Sequence, residues 1–449
     1  MLNVKQMNNS CMQHIDYSQQ QTLADFDYRL LIKALGKGIK GARSLSIEEA
    51  KLLIMGFAAG HVTRAQMASA MMLMRVRGET ESEIAGVALG LKQLLQPQWQ
   101  QLDVDIDWPV YAGKREQLPW LLLSAKLLAK QGKRIVLHGD AQSLSHRRHV
   151  GHCVQALGIE TCQMPAQVNK ALAKHNIVYV DATAMLPVIN ECRSLHQELG
   201  LRSLIQFSVR CINPCNATLS LRSYFHPGLD KTHANVAKLM GNYLLNNPAQ
   251  QGKNDEPDNY SLIAIFKGLQ GETEFNPRVS TDLRLVALSN EKEVASFNEY
   301  AFSIPTVLEA VSAVKIGQAE LSEANLSTLW ETGRLGLPST ERTSLMMQIA
   351  QASTCLTFAM ADKLLSFNVT TPTSSSTKGD KKAAQLANYT EVEFSEAQII
   401  ALYEQAKTIL HSRWSDTTMD TTKTCLAVDE YSLEVPCKTG STHQTVCSQ

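Results

Sequence analysis

The sequence predicts a helical N-terminal region, an α/β layer behind it and a helical C-terminal extension, and three observations carry that reading. Residues 27–95 place apolar side chains at helical spacing. Beyond Pro97, short strand-type apolar runs alternate with helical segments. From Thr370 a Thr/Ser/Lys-rich stretch sets one last amphipathic helix apart. At about 150 residues per domain, a chain of 449 residues holds two or three domains and can bury a substantial core.

The elements follow in order. Tyr28, Leu30, Leu31, Ala34 and Leu35 form one apolar helix face ahead of a Gly/Lys loop. Ser46-Ile-Glu-Glu49 reads as a capping box, in which the Ser oxygen accepts a free amide while Glu49 reaches back. The helix it starts runs to Ala59 and stops at Gly60. Residues 64–77 carry a core-filling stripe of Met67, Ala70, Met71 and Met74, and 79–95 form a further helix. Strands are predicted at 134–137, 177–180, 261–266 and 283–288, with helices at 120–130, 150–157 and 231–244. Residues 250–259 read as a surface loop, and helical spacing returns at 305–319 and 341–365.

The implied organisation is a flexible tail over 1–26, a helical domain over 27–97, an α/β domain over 98–368, a linker over 369–394, a helix over 395–414 and a disordered tail over 415–449. The polar N-terminus lacks the apolar core of a signal peptide, and no stretch approaches the ~18 apolar residues of a membrane span. A cytoplasmic protein without a membrane partner is expected. The ten cysteines are scattered with no Cys-x-x-Cys pair, so they read as reduced thiols rather than zinc ligands.

Gly36-Lys-Gly-Ile-Lys-Gly41 matches a dinucleotide-loop string, but it follows a helix where that fingerprint needs a strand. Its Lys37 and Lys40, with Arg43, could still meet phosphates. Leu45-Ser-Ile-Glu-Glu-Ala50, Gly60-His-Val-Thr-Arg-Ala-Gln-Met-Ala68, Met74-Arg-Val-Arg-Gly-Glu-Thr80, Glu83-Ile-Ala-Gly86, Leu199-Gly-Leu-Arg-Ser203 and Asn213-Pro214 form a more specific set. It resembles the anthranilate phosphoribosyltransferase-like members of glycosyltransferase family 3 over roughly residues 27–366. The resemblance implies an α + α/β fold in which a small helical N-terminal domain packs on a larger α/β domain with a central mixed sheet. Substrates of such proteins bind in the cleft between the two.

The catalytic motifs of that family are altered. Where the resemblance implies a Gly-Thr-Gly-Gly-Asp pyrophosphate loop, the chain reads Val110-Tyr-Ala-Gly-Lys-Arg-Glu-Gln117, keeping Gly113 and adding Lys114 and Arg115. Lys-His-Gly-Asn becomes Leu137-His-Gly-Asp140, retaining His138 and Gly139. Gly271 replaces the aspartate of the magnesium pair and leaves Glu272 alone. Arg202 is kept in Arg202-Ser-Leu-Ile-Gln-Phe-Ser-Val-Arg210, whereas the family's Asn and Gly-Pro are gone.

These departures resemble the YbiB-like, non-tryptophan branch, for which the resemblance implies a homodimer that lacks the parent activity and binds nucleic acid with little sequence preference. The charge distribution agrees. The chain is neutral with 43 basic and 43 acidic residues, which excludes a histone-like or acidic solvating protein, yet residues 27–240 carry +10 and residues 241–449 carry −9. Candidate phosphate or nucleic-acid ligands are Lys37, Lys40, Arg43, Tyr111, Gly113, Lys114, Arg115, His138, Gly139, Arg147, Arg148, Arg202 and Arg210, with Arg222 in the same segment and Trp120 as a stacking candidate. On this reading no cofactor is required. The alternative is glycosyl or phosphoribosyl transfer from phosphoribosyl pyrophosphate to an unidentified acceptor, with magnesium held at Glu272.

Overall fold

The computed structural model describes residues 12–143, 146–247, 261–291, 294–308, 320–367 and 394–424. Its N-terminal part is a helical bundle of α1 (Tyr17–Asp25), α2 (Arg29–Gly36), α3 (Ile47–Ala58), α4 (Arg64–Arg77) and α5 (Glu81–Gln93). The Ser46 capping box forms as its spacing requires: Glu49 N donates to Ser46 Oγ at 3.2 Å and Ser46 N to Glu49 Oε2 at 2.9 Å. Thr63 with Gln66 and Thr80 with Glu83 start the next two helices in the same way. The Met67, Ala70, Met71 and Met74 stripe is fully buried in this bundle.

Residues 12–25 differ from the expected flexible tail. Asp16 caps α1 by accepting from Gln19 N at 2.8 Å, Ile15 and Leu23 are buried, and Tyr28 Oη donates to Leu23 O at 2.9 Å. Two apolar side chains in a Gln-rich run suffice to dock the segment, and so few anchors leave almost no periodic signal.

Behind the bundle lies one eight-stranded sheet built from β1 (Ile106–Pro109), β2 (Ile135–Gly139), β3 (Thr161–Cys162), β4 (Ile177–Asp181), β5 (Leu219–Tyr224), β6 (Ser261–Lys267), β7 (Thr281–Glu291) and β8 (Val294–Ile304). The spatial order is β3-β4-β2-β1-β5-β6-β7-β8, parallel from β3 through β6 and antiparallel from β6 to β8. It is the expected mixed sheet. Helices α6 (Leu121–Lys130), α7 (Pro165–His175), α8 (Val188–Leu199), α9 (Leu229–Asn246), α10 (Glu323–Thr332) and α11 (Glu341–Leu365) complete the layer. Because β1 pairs with β2 on one side and β5 on the other, the strand order reverses there. Crevices in open α/β sheets form at such a reversal, beyond the carboxyl ends of the strands.

The C-terminal helix α12 spans Glu396–Thr424, longer than the expected 395–414. Ile399, Tyr403, Ala406 and Leu410 are buried, and Arg413 lies 3.8 Å from the Trp330 ring centroid and donates to Trp330 O at 2.9 Å. Phe394, placed by the sequence at the end of a linker, stacks on Phe302 of β8 with centroids 4.1 Å apart. The expected linker over 369–393, the loop at 250–259, most of the 305–319 helix and the tail beyond Thr424 lie outside the described residues. No helix among the described residues is long and apolar enough to cross a membrane.

Candidate functional site

The crevice at the β1/β5 reversal is built on a buried polar chain. Asp107 sits in β1 between Ile106 and Trp108, and its carboxylate accepts from Ser220 Oγ of β5 at 2.6 Å. His138 of β2 lies across from it, Nε2 2.9 Å from Asp107 Oδ1 and Nδ1 2.7 Å from the Tyr111 hydroxyl. Every proton finds an acceptor when Nε2–H donates to the Asp107 carboxylate and the phenol donates to Nδ1. Burial, followed by surrounding acidic groups, pushes the Tyr111 phenol well above its ordinary range, so it stays protonated. Tyr111 and His138 are therefore spent on each other and on Asp107. Trp120 is fully buried and donates to Gln117 Oε1 at 3.0 Å. Neither aromatic is a base-stacking platform.

The loop after β1 is held from three sides. Gly113 N–H donates to Glu272 Oε1. Lys114 is completely buried, ion-paired with Glu274, and donates to Leu269 O at 2.9 Å. Its backbone exchanges hydrogen bonds with Arg148 at 2.8 and 2.9 Å. Burial pulls the Lys114 ammonium down and pushes the Glu274 carboxyl up, and their mutual contact opposes both effects. The sequence places Lys114 among the phosphate ligands; the structure corrects this, because Glu274, two residues beyond Glu272 in the chain, draws the ammonium inward. Arg147 Nη1 donates to Ala112 O at 3.1 Å and Gly113 O at 3.3 Å, whereas Arg148 Nη2 reaches Leu321 O at 2.5 Å and its Nε lies 3.6 Å from Glu323. The Arg147 side chain and the Arg148 backbone brace the loop.

What remains toward the crevice is an arginine cluster. Arg115 and Arg202 are exposed, and Arg147 and Arg210 are partly buried. Burial chiefly, and then Arg115 and Arg202, hold the Arg147 guanidinium below its ordinary range, with Glu272 acting against them. Arg202 is lowered by burial and then by Arg115 and Arg75, so the cluster extends to the end of α4 in the helical bundle. Arg210 donates to Ser223 O at 3.1 Å. Three buried polar atoms here have no partner: Nε of Arg147, Nε of Arg210 and Oε2 of Glu272.

Other sequence candidates fall elsewhere. Arg43 pairs with Glu49 at 2.6 Å, Lys37 and Lys40 are exposed, and Lys37 borders a groove of the bundle with Arg29 and Lys33. Gly139 is buried against the Val110 carbonyl. Arg222 is buried, with Nε 3.4 Å from Ser220 Oγ and Nη2 donating to Cys211 O at 3.1 Å. Asp107, Ser220 and Glu274 escaped the sequence reading, although Glu272 and Glu274 at an i, i+2 spacing are positioned to meet one loop. Magnesium does not fit this donor set. Gly271 supplies no carboxylate, Oε1 of Glu272 already accepts the Gly113 amide, and no group of three His, Cys, Asp or Glu suited to a metal exists among the described residues.

Beside the cleft, His196 Nε2 lies 2.6 Å from Ser203 Oγ, and burial, with Arg202 acting the same way, pulls the imidazole down to about 4. His233, stacked on Phe207 at 4.0 Å, is also lowered well below its ordinary value by burial. A depressed folded-state histidine means that the unfolded chain binds the proton first as pH falls. Stability is therefore expected to be intact above about pH 6.5 and to decline toward about pH 4. His196→Gln should reduce that slope in urea midpoints measured between pH 7 and 5; an unchanged slope would rule out a contribution from His196.

A family model described as the helical bundle domain of the glycosyl transferase family matches residues 29–94. Anthranilate phosphoribosyltransferase 2 of Ralstonia nicotianae is 28% identical over 192 residues, 42% of this chain and 54% of that protein. The anthranilate phosphoribosyltransferase of Thermomicrobium roseum is 26% identical over 212 residues, 47% of this chain and 61% of that one. The chain thus spans little more than half the length of these two transferases. The uncharacterised protein YbiB of Escherichia coli is 26% identical over 266 residues, covering 58% of this chain and 76% of YbiB. Among solved structures, anthranilate phosphoribosyltransferase from Thermus thermophilus aligns with a TM-score of 0.51 at 18% identity, over 84% of this chain and 98% of that one, a likeness of fold. Residues 29–94 thus match the helical bundle domain of the glycosyl transferase family, and beyond it the chain is similar in sequence to anthranilate phosphoribosyltransferases and YbiB and shares the fold of the former.

Proposed function

We propose that the cleft binds a phosphoribosyl donor of the phosphoribosyl pyrophosphate class and that the protein transfers its pentose phosphate to an acceptor. The observation that carries this reading is the group of four arginines, Arg115, Arg147, Arg202 and Arg210, gathered at the strand reversal around the single acid Glu272. In such a transfer the bond from the sugar C1 to pyrophosphate breaks, the acceptor's nucleophilic atom bonds to C1, and pyrophosphate leaves with the electron pair. Guanidinium groups fixed beside the departing oxygens stabilise that charge. The unpartnered Glu272 Oε2 suits a ribose hydroxyl donor.

The nucleic-acid reading draws less support from the same geometry. Tracking a phosphate backbone takes many exposed cations, and Lys114 and Arg222 are buried while Arg43 and Arg148 are engaged with Glu49 and with Leu321 and Glu323. That reading, like the homodimer, rests on the resemblance to the YbiB-like branch.

Thermal unfolding with phosphoribosyl pyrophosphate tests the proposal. Ligand at 100 times its dissociation constant should add about 2.7 kcal/mol of stability. The shift should persist in a chelator, since arginines supply the countercharge. Arg202→Ala should weaken binding roughly 10- to 100-fold, the worth of a charge-assisted hydrogen bond. Absence of a shift at millimolar ligand would overturn the donor site.

A further inference from the structure

A second cavity, of about 500 Å³, opens at the opposite edge of the sheet. Val104, Thr218 and Ser261, at or just before the starts of β1, β5 and β6, border it, and Met240 and Leu244 of α9 form one wall. None of the cleft residues Arg115, Arg147, Arg202, Arg210 or Glu272 lines it. Its size is that of a small-molecule pocket.

Several polar groups around this cavity are committed to the protein, and Asp103, Thr218 and Ser261 also border it. Lys92 donates to Ile212 O at 3.0 Å, Asn213 O at 2.8 Å and Asn216 Oδ1 at 2.7 Å. Asn213 closes its own turn through Ala217, donating to Ala217 O and accepting from Ala217 N at 2.9 Å each. Arg222 is the buried cation among them with an unpartnered N–H. It lines the cavity at 3% exposure, spends Nε and Nη2 on Ser220 and Cys211, and leaves Nη1 without a partner. A buried guanidinium N–H with no acceptor costs free energy that a ligand oxygen recovers. The remaining wall is largely apolar, with Leu102, Val104, Ile212, Ile263 and Leu288.

We infer that this cavity is a binding site for a small monocarboxylate with an apolar body, its carboxylate accepting from Arg222 Nη1. One charged donor without a protein partner matches one anionic group, and the apolar wall matches a hydrocarbon or aromatic remainder. A phosphate fits less well, since its greater charge would meet one unpartnered cationic donor and the Asp103 carboxylate at the same rim.

The probes are 3-phenylpropionate and its neutral analogue 3-phenylpropan-1-ol, titrated into the full-length protein by ligand-observed NMR. The acid should bind saturably at about millimolar affinity or tighter, and at least about tenfold more tightly than the alcohol. Arg222→Met should remove that preference. Leu244→Trp, at the cavity wall and distant in role from Arg222, should block both probes, which keeps the test decisive if Arg222→Met fails to fold. Arg202→Ala, which disables the proposed donor site, should leave acid binding unchanged, so failure of one site is distinguishable from failure of the other. No saturation by about 20 mM acid, equal affinity for acid and alcohol, retention after Leu244→Trp, or loss on Arg202→Ala would each overturn the assignment.

Discussion

Lys114→Met is expected to destabilise the protein by about 3–5 kcal/mol while leaving its anion affinity intact, provided the variant is measured folded. The ammonium is wholly buried, and its removal leaves Glu274 without its countercharge in a site where burial already raises that carboxyl. Leu121 N–H still donates to Glu274, so the acid is not left bare, but one amide does not replace a cation. The double variant with Glu274→Gln should recover part of the loss, because removing both charges also removes their desolvation cost. Urea midpoints for wild type, both single variants and the double give the coupling, and titration with phosphoribosyl pyrophosphate gives the affinity. A loss under about 1 kcal/mol together with a drop in anion affinity would mean that Lys114 faces ligand after all.

Gly139→Ala is expected to cost about 3 kcal/mol, near the upper range of overpacking penalties. A Cβ at this position would stand 2.4 Å from the Val110 carbonyl oxygen and 3.2 Å from Val110 Cγ2. Val110 cannot simply retreat, since its amide donates to His138 O at 2.8 Å and so fastens the end of β1 to β2. The extra methyl must prise the two strands apart just where Tyr111 meets His138. Gly132→Ala is the control: its Cβ meets nothing within 4 Å, and only its left-handed φ of +87° is penalised, by roughly 1–2 kcal/mol. Equal midpoints for the two variants would show that the strand ends tolerate the methyl.

The sequence was legible where local chemistry and burial agree. The Ser46 box, the Met stripe and helix α11, predicted at 341–365 and observed at Glu341–Leu365, combine periodicity with caps that need no distant partner. Strand β1 was missed because Asp-Ile-Asp-Trp-Pro reads as a polar turn until Ser220 and His138 arrive to satisfy Asp107. Strand β5 was missed for the same reason, since Ser220 and Arg222 look exposed in sequence and are buried in the sheet. Charge arithmetic located the arginines of the cleft but not their fates. Whether a lysine points outward or inward is decided by a carboxylate 160 residues away, as with Lys114 and Glu274.

The contact between Gly113 and Glu272 bears on whether one substitution could install a metal site. Placing a carboxylate at position 271 would not by itself create a cation site, because one oxygen of Glu272 is already committed and Gly271 occupies φ +88°, where a side-chain-bearing residue is strained. The loop would have to move first, and Lys114, the Arg147 side chain and the Arg148 backbone all hold it where it is. A metal-assisted site at this loop would thus take several simultaneous replacements.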